Sequence, residues 1–179
     1  MRALTTIAAV AIGAMLLSGC LPQQPIATPP PEATAAPIFA SDEEALAAAT
    51  AAYAAYLAMS DLIAADGGAN PERLEPFVTA DWLQREVKVF TNLGSRGLSQ
   101  TGSTLFTNAA VQQYSQDSVA IYVCTDSTET RVRDSAGADL TPADRETQTS
   151  LEVTFEVIST APVQLRLDGN EPWSGESFF

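Results

Sequence analysis

The sequence predicts an α+β domain in which N-terminal helices pack on an antiparallel four-stranded sheet, and three observations carry that prediction. Helix signals fill the chain from Ser41 to Gly94. From Gly97 onward apolar residues recur at every second position, the period of a strand. The two periods occupy separate blocks, and a helical block followed by a block of strands gives segregated layers rather than a parallel sheet. No internal repeat interrupts this order.

The first helix opens at Ser41-Asp42-Glu43-Glu44, a capping box with Ser41 as N-cap and Glu44 three residues on. An acidic first turn also suits the positive end of the helix dipole, so this run is explained by capping. The Ala-rich helix continues to Asp66 and stops at Gly67-Gly68. Leu46, Ala49, Tyr53, Tyr56, Ser60 and Ile63, with Leu57 beside them, recur at three- and four-residue spacing and define its packing face. Asn70-Pro71 starts a second, short helix, with proline where its missing N–H has no intrahelical partner anyway. Pro76 interrupts it and Thr79 restarts the pattern. Leu83, Val87 and Phe90 then mark the apolar face of a third helix that ends at Gly94.

Residues 103–114 form the first predicted strand and Asp117–Asp126 the second. In the second, Val119, Ile121 and Val123 alternate with Ala120, Tyr122 and Cys124. Both sets are apolar, so this strand is expected to be central and covered on both faces. Ser135-Ala136-Gly137 falls in a loop. Leu151, Val153, Phe155 and Val157 alternate with Glu152, Thr154 and Glu156, the pattern of a strand with one wet face. Ala161-Pro162 turns the chain into a last strand through Val163, Leu165 and Leu167, ending before Asp168-Gly169.

Ahead of the domain the chain changes character. Met1-Arg2 supplies a short positive end, and Ala3 to Leu17 follows for fifteen residues without a charge. That is shorter than the ~20 residues of a membrane span and suits the apolar core of a secretory signal. It ends Leu17-Ser18-Gly19-Cys20, which resembles the lipobox of bacterial lipoproteins: aliphatic, small, small, cysteine. The resemblance implies a diacylglyceryl thioether on Cys20 and cleavage between Gly19 and Cys20. Each buried CH₂ contributes about 0.8 kcal/mol, and two chains suffice for stable anchoring. Residues 1–19 are therefore expected to be a signal peptide, and the mature protein to sit on the outer face of the cell membrane, held by its lipid anchor.

Residues 20–40 form the lipidated cysteine and a tether that holds six of the chain's eleven prolines. Proline blocks helix and sheet alike, and an extended polyproline segment of this length reaches ~60 Å. Pro22-Gln23-Gln24-Pro25 fits a PxxP spacing, which any proline-rich linker produces. Residues 41–179 remain as one domain, long enough to enclose its own core.

Composition removes several classes of function. The chain has 9 Lys and Arg against 22 Asp and Glu, and loss of residues 1–19 removes only Arg2, leaving a net charge of −14. Such a chain is repelled by nucleic acid phosphates, so nucleic acid is not an expected partner. Histidine is absent, which excludes Ser-His-Asp and Cys-His nucleophiles and the usual zinc ligands. Lys88 is the sole lysine. With Cys20 lipidated, Cys124 is the only thiol, so neither an internal disulfide nor a thiolate cluster forms. A lone cysteine after Ile121-Tyr122-Val123 reads as a small buried hydrophobe.

Two further stretches carry only weak signals. The glycine-rich run at 94–104 lacks the lysine of a phosphate loop and reads as a helix cap leading into a strand. Asp168-Gly169-Asn170-Glu171 lacks the alternating oxygens of a calcium loop and reads as a turn. No catalytic residue, metal or cofactor is expected.

The order of elements across residues 41–175 resembles the NTF2-like cone fold, and in particular its small lipid-anchored actinobacterial members. The resemblance rests on element order rather than on a motif. It implies a curved sheet wrapped around the first helix, a pocket at the wide end of the cone, and an outer sheet face suited to a homodimer. NTF2-like enzymes such as ketosteroid isomerase place tyrosine and aspartate in that pocket, where an apolar wall raises the carboxyl pKa.

The matching candidates are Tyr53 and Tyr56 on the first helix, Asp61 one turn beyond Leu57, and Tyr122 on the central strand. Tyrosine rings packed in a core with hydroxyls at its rim explain the same residues without chemistry. The expected function is a non-enzymatic, lipid-anchored, extracytoplasmic module that binds a small apolar ligand in the cone or a protein partner, a second copy included. A cofactor-free isomerase or dehydratase and an accessory subunit of an envelope complex stand as alternatives. The C-terminal run at 173–179 is a further candidate, as cover for the doubly apolar strand.

Overall fold

The computed structural model describes residues 37–175. The expectations for Leu17, Ser18, Gly19 and Cys20, for most of the tether and for the last four residues lie outside the described residues. Within them the order is α1 (Asp42–Ala65), a 3-10 turn (Pro71–Leu74), α2 (Ala80–Ser95), β1 (Ser99–Thr101), β2 (Leu105–Tyr114), β3 (Ser118–Asp126), β4 (Arg131–Arg133), β5 (Gln148–Thr160) and β6 (Val163–Pro172).

The α1 cap forms as its sequence directs. Ser41 Oγ accepts the Glu44 N–H at 3.3 Å, and Glu44 Oε2 accepts the N–H of Ala40 at 2.7 Å, one residue earlier than the usual reciprocal bond. By length and composition α1 is apolar enough to cross a membrane. Ala45, Ala49, Tyr53, Tyr56 and Ile63 are nevertheless buried in the core it shares with the sheet. At its end Gly68 takes φ +79, and a side chain there would overlap the Phe90 backbone, so this glycine lets the end of α1 approach α2.

The second predicted helix is a single four-residue 3-10 turn. Pro76 has no N–H to offer and its ring would collide with the carbonyl four residues back, so the helix cannot propagate. In α2 the buried residues are Trp82 and Phe90, while Leu83 and Val87 are half-buried. The inward stripe is therefore Trp82, Glu86, Phe90, four residues apart, with a carboxylate in its middle.

The main sheet has the order β2-β3-β5-β6 with every neighbouring pair antiparallel, and it curves against α1. Bulges interrupt the β2–β3 and β5–β6 registers, and Asn108 in β2 takes a left-handed φ of 52 between the paired residues Thr107 and Ala110. Bulges strengthen twist and bend the strand that carries them. On β3, Val119, Ile121 and Val123 are fully buried in the core shared with α1, and Ala120 and Cys124 are 4% exposed on the opposite face. The central strand is thus covered on both sides.

Three features of the sheet depart from the sequence expectation. β6 does not end at Asp168-Gly169 but runs through to Pro172, because a bulge there sets Gly169 opposite Thr154. A side chain at 169 would overlap Thr154 Oγ1, so this glycine serves close strand packing rather than a turn. β1 and β4 form a separate two-stranded sheet, each three residues long and too short to display a period. The segment before α2 also lies along the edge of β6: Leu167 N–H bonds to Phe77 O and Thr79 N–H to Leu167 O, both at 2.9 Å. It occupies backbone groups that an open edge would present to other chains.

Candidate functional site

The placement of each candidate follows from its angle around α1. Tyr53 is fully buried and Tyr56 is 5% exposed, and both point into the space between α1, α2 and the sheet. Their rings stack at 6.0 Å between centroids, and Phe106 of β2 meets Tyr53 edge-on at 5.1 Å. The Tyr53 hydroxyl donates to Asn170 Oδ1 of β6 at 3.3 Å. Tyr56 donates to Glu86 Oε1 of α2 at 2.9 Å. Tyrosine rings therefore fill the interior, and open clefts run along the flanks of α1.

On one flank, between α1 and α2, Ser60, Ala64, Glu86, Phe90, Leu93 and Gln100 help to line a cleft of about 290 Å³. Burial pushes the Glu86 carboxyl above its ordinary range, and the Tyr56 hydroxyl bond only partly offsets this. Burial likewise pushes the Tyr56 hydroxyl far up, and the nearby Glu86 charge adds to the effect. Trp82 Nε1 is buried without a hydrogen bond of ordinary geometry. Its N–H favours the ionised forms of both Tyr56 and Glu86. The result is an internal Trp82–Tyr56–Glu86 cluster tying α1 to α2.

On the other flank α1 meets the start of β2. Ala54, Leu57, Ala58, Leu105 and Phe106 supply apolar walls to a cleft of about 300 Å³, and Asp61 is its one carboxylate. Asp61 Oδ2 accepts the Thr104 N–H at 2.9 Å, and Oδ1 accepts the Thr104 hydroxyl at 3.3 Å. Burial raises the Asp61 pKa while both Thr104 bonds pull it back down. The carboxylate is half-buried, ordered by the strand it faces, and open to the cleft.

Tyr122 lies on the other side of the sheet. Its neighbours along the register are Ala110 and Glu152, whereas Asn170, which receives the Tyr53 hydroxyl, belongs to the inward row with Ile121 and Val153. The Tyr122 ring packs on Trp173 at 4.6 Å, and its hydroxyl accepts from Gln112 Nε2 at 2.6 Å. Trp173 thus provides part of the outer cover from the chain's own C-terminal run. Cys124 shares that outer face. Burial, then the Asp126 charge, pushes its thiol upward, away from reactivity.

The structure therefore brings Tyr53 and Tyr56 together, sets Asp61 on a separate flank, and leaves Tyr122 behind the sheet. Sequence reasoning missed Glu86, which a search for apolar spacing passes over. The signal available was the fourfold spacing of Trp82, Glu86 and Phe90. It also missed the loop cleft of about 270 Å³ beside Arg131 and Arg145. There Arg131 binds the carbonyls of Thr128 and Thr130 at 2.6 and 2.7 Å, and Arg145 those of Ser127 and Thr130 at 2.6 and 2.9 Å. These guanidiniums hold the loop together. Among the described residues no group of three or more carboxylates or thiols is placed to hold a metal ion.

The fold and these clefts define an α+β domain with two helices on a curved, four-stranded antiparallel sheet. No family model matches the chain, and no curated protein matches it.

Proposed function

We propose that this protein is a lipid-anchored extracytoplasmic binding module, and that its domain is NTF2-like and takes a small, largely apolar ligand beside α1. The observation that carries the reading is the α1–β2 cleft, where five apolar residues surround a single ordered carboxylate. Binding sites for small molecules combine mainly apolar walls with a few fixed polar groups. The anchoring part rests on Leu17-Ser18-Gly19-Cys20 and the proline-rich tether behind it.

Two measurements test the two parts. Cys20→Ser should release the protein from the membrane fraction or stall its processing. A variant still cleaved and membrane-bound overturns the lipid anchor. Native mass spectrometry of the protein extracted from its own cells should show a mass excess that is lost on denaturation. A clean mass, together with one stoichiometric protein partner on pull-down, would replace the small ligand with that partner.

A second reading is favoured by one observation. Tyr56 and Glu86 form a hydrogen-bonded tyrosine–carboxyl pair, two side-chain types that serve cofactor-free proton transfer, and Glu86 borders the α1–α2 cleft. If the protein is an isomerase, it should catalyse deuterium uptake beside the carbonyl of a small cyclic ketone, and both Glu86→Gln and Tyr56→Phe should abolish that uptake. Exchange at the uncatalysed rate removes this reading.

A further inference from the structure

We infer that the α1–β2 cleft is specific for a small organic cation: an amine on a compact apolar body, its ammonium group on Asp61 and its body against Leu57 and Phe106. The inference rests on the ligand-binding reading above and names the class of ligand for that site.

Charge is the first ground. Asp61 takes part in none of the ion pairs among the described residues, which join Arg73 to Asp66, Arg85 to Glu171 and Arg131 to Asp139. Among the described residues its hydrogen bonds come from Thr104, one to each oxygen. A carboxylate has about four acceptor positions, so both oxygens keep capacity toward the cleft. A charge beside apolar walls is unfavourable unless paired, and the upward displacement of the Asp61 pKa by burial records that cost. An ammonium group would supply the missing charge, through hydrogen bonds that are shorter and roughly twice as strong as neutral ones.

Geometry is the second. Thr104 belongs to the segment entering β2, and its N–H and hydroxyl hold the carboxylate from the strand side. The acceptor is therefore oriented before any ligand arrives, which lowers the ordering cost of binding. The cleft, about 300 Å³, lies at the lower end of the range for ligand sites, so the apolar body is small, of the size of a single six-membered ring. The net charge of the chain, −13, enriches cations near its surface and disfavours a carboxylate ligand in the same place.

The test uses the full chain, solubilised with its anchor, and three probes that share one apolar body: cyclohexylmethylamine, cyclohexylmethanol and cyclohexanecarboxylate. Affinity is measured by titration calorimetry, and the Thr104 amide resonance reports occupancy at Asp61. The amine should bind at least tenfold more tightly than the alcohol, the carboxylate should not bind, and the Thr104 resonance should move with the amine. Asp61→Asn should erase the amine's advantage over the alcohol. Leu57→Phe fills the cleft while keeping Asp61 and Thr104, and should weaken both probes together.

Asp117→Asn, a charge change elsewhere, should leave the preference intact. Equal affinities for amine and alcohol would overturn the cation assignment while the apolar site stands. An amine preference that survives Asp61→Asn would also overturn it, tracing the effect to overall charge. If no probe binds, the cleft fails as a ligand site and the reading beneath it fails too.

Discussion

Asp61 lies on one flank of α1 and Glu86 of α2 meets the other, and burial raises the pKa of both, yet their surroundings differ. Glu86 receives a buried tyrosine hydroxyl from α1, with the Trp82 N–H nearby, so its partners come from the two elements it joins. Asp61 receives both its bonds from one threonine at the start of a strand, and otherwise faces an apolar cleft. A carboxylate held by the core acts as a tie. One held from a single side keeps acceptor positions open to the cleft, which is the basis of the proposed ligand site. The aromatic series from Phe106 through Tyr53 to Tyr56 runs between the two.

Breaking that series is the largest available perturbation. Tyr53→Ala deletes a fully buried ring and should cost about 3–5 kcal/mol in urea unfolding. A loss near 1 kcal/mol would mean that the interior collapses easily. Tyr56→Phe leaves the Glu86 carboxylate without its hydroxyl donor and should cost about 1–3 kcal/mol. Thr104→Val, the matching change on the other flank, removes one hydroxyl bond to a half-buried carboxylate and should cost less, about 0.5–1.5 kcal/mol. If the loss for Thr104→Val exceeded that for Tyr56→Phe, the contrast between the tied and the open carboxylate would be reversed.

The smallest effect is the dependence on pH. Glu86 has a higher pKa folded than unfolded, so its contribution is fully present below the unfolded value of about 4.5 and is lost as pH rises through the folded value. Wild-type stability relative to Glu86→Gln should therefore fall from about pH 4.5 toward neutrality. Asp61 has the same sign, starting near its ordinary value of about 3.8, so wild type should lose ground to Asp61→Asn in the same direction. Saturating amine should reverse that trend for Asp61 alone, because a bound cation lowers its pKa. Unfolding curves at several pH values with and without the amine separate the two carboxylates.

Much of the fold is written in local chemistry. The Ser41 cap, the Gly67-Gly68 stop, the restart at Thr79 and the change of period after Gly97 each act within a few residues, and the element order follows from them. The two apolar rows of Asp117–Asp126 correctly implied a strand covered on both faces. Position within the site was less legible. Period and spacing place Tyr53, Tyr56 and Asp61 on one helix, but a turn of 3.6 residues sends Asp61 to a different flank from the tyrosines. Tyr122 alternates onto the outer row of β3, a parity that becomes meaningful only once the inward row is known.

What the sequence by itself determined is therefore the α+β class, the boundaries set by caps and prolines, and the acidic, histidine-free chemistry within which any function must work. Only the tertiary structure decided that Tyr56 meets Glu86 across thirty positions of chain, and that Thr104 meets Asp61 across forty-three. It also decided that β6 runs through Asp168-Gly169, because a bulge opposite Thr154 gives that glycine a place in the strand. Local rules act over a few residues through backbone hydrogen bonds and sterics. The pairing of side chains distant in sequence depends on which faces the packed elements bring together, and that is settled by burial of the whole core at once.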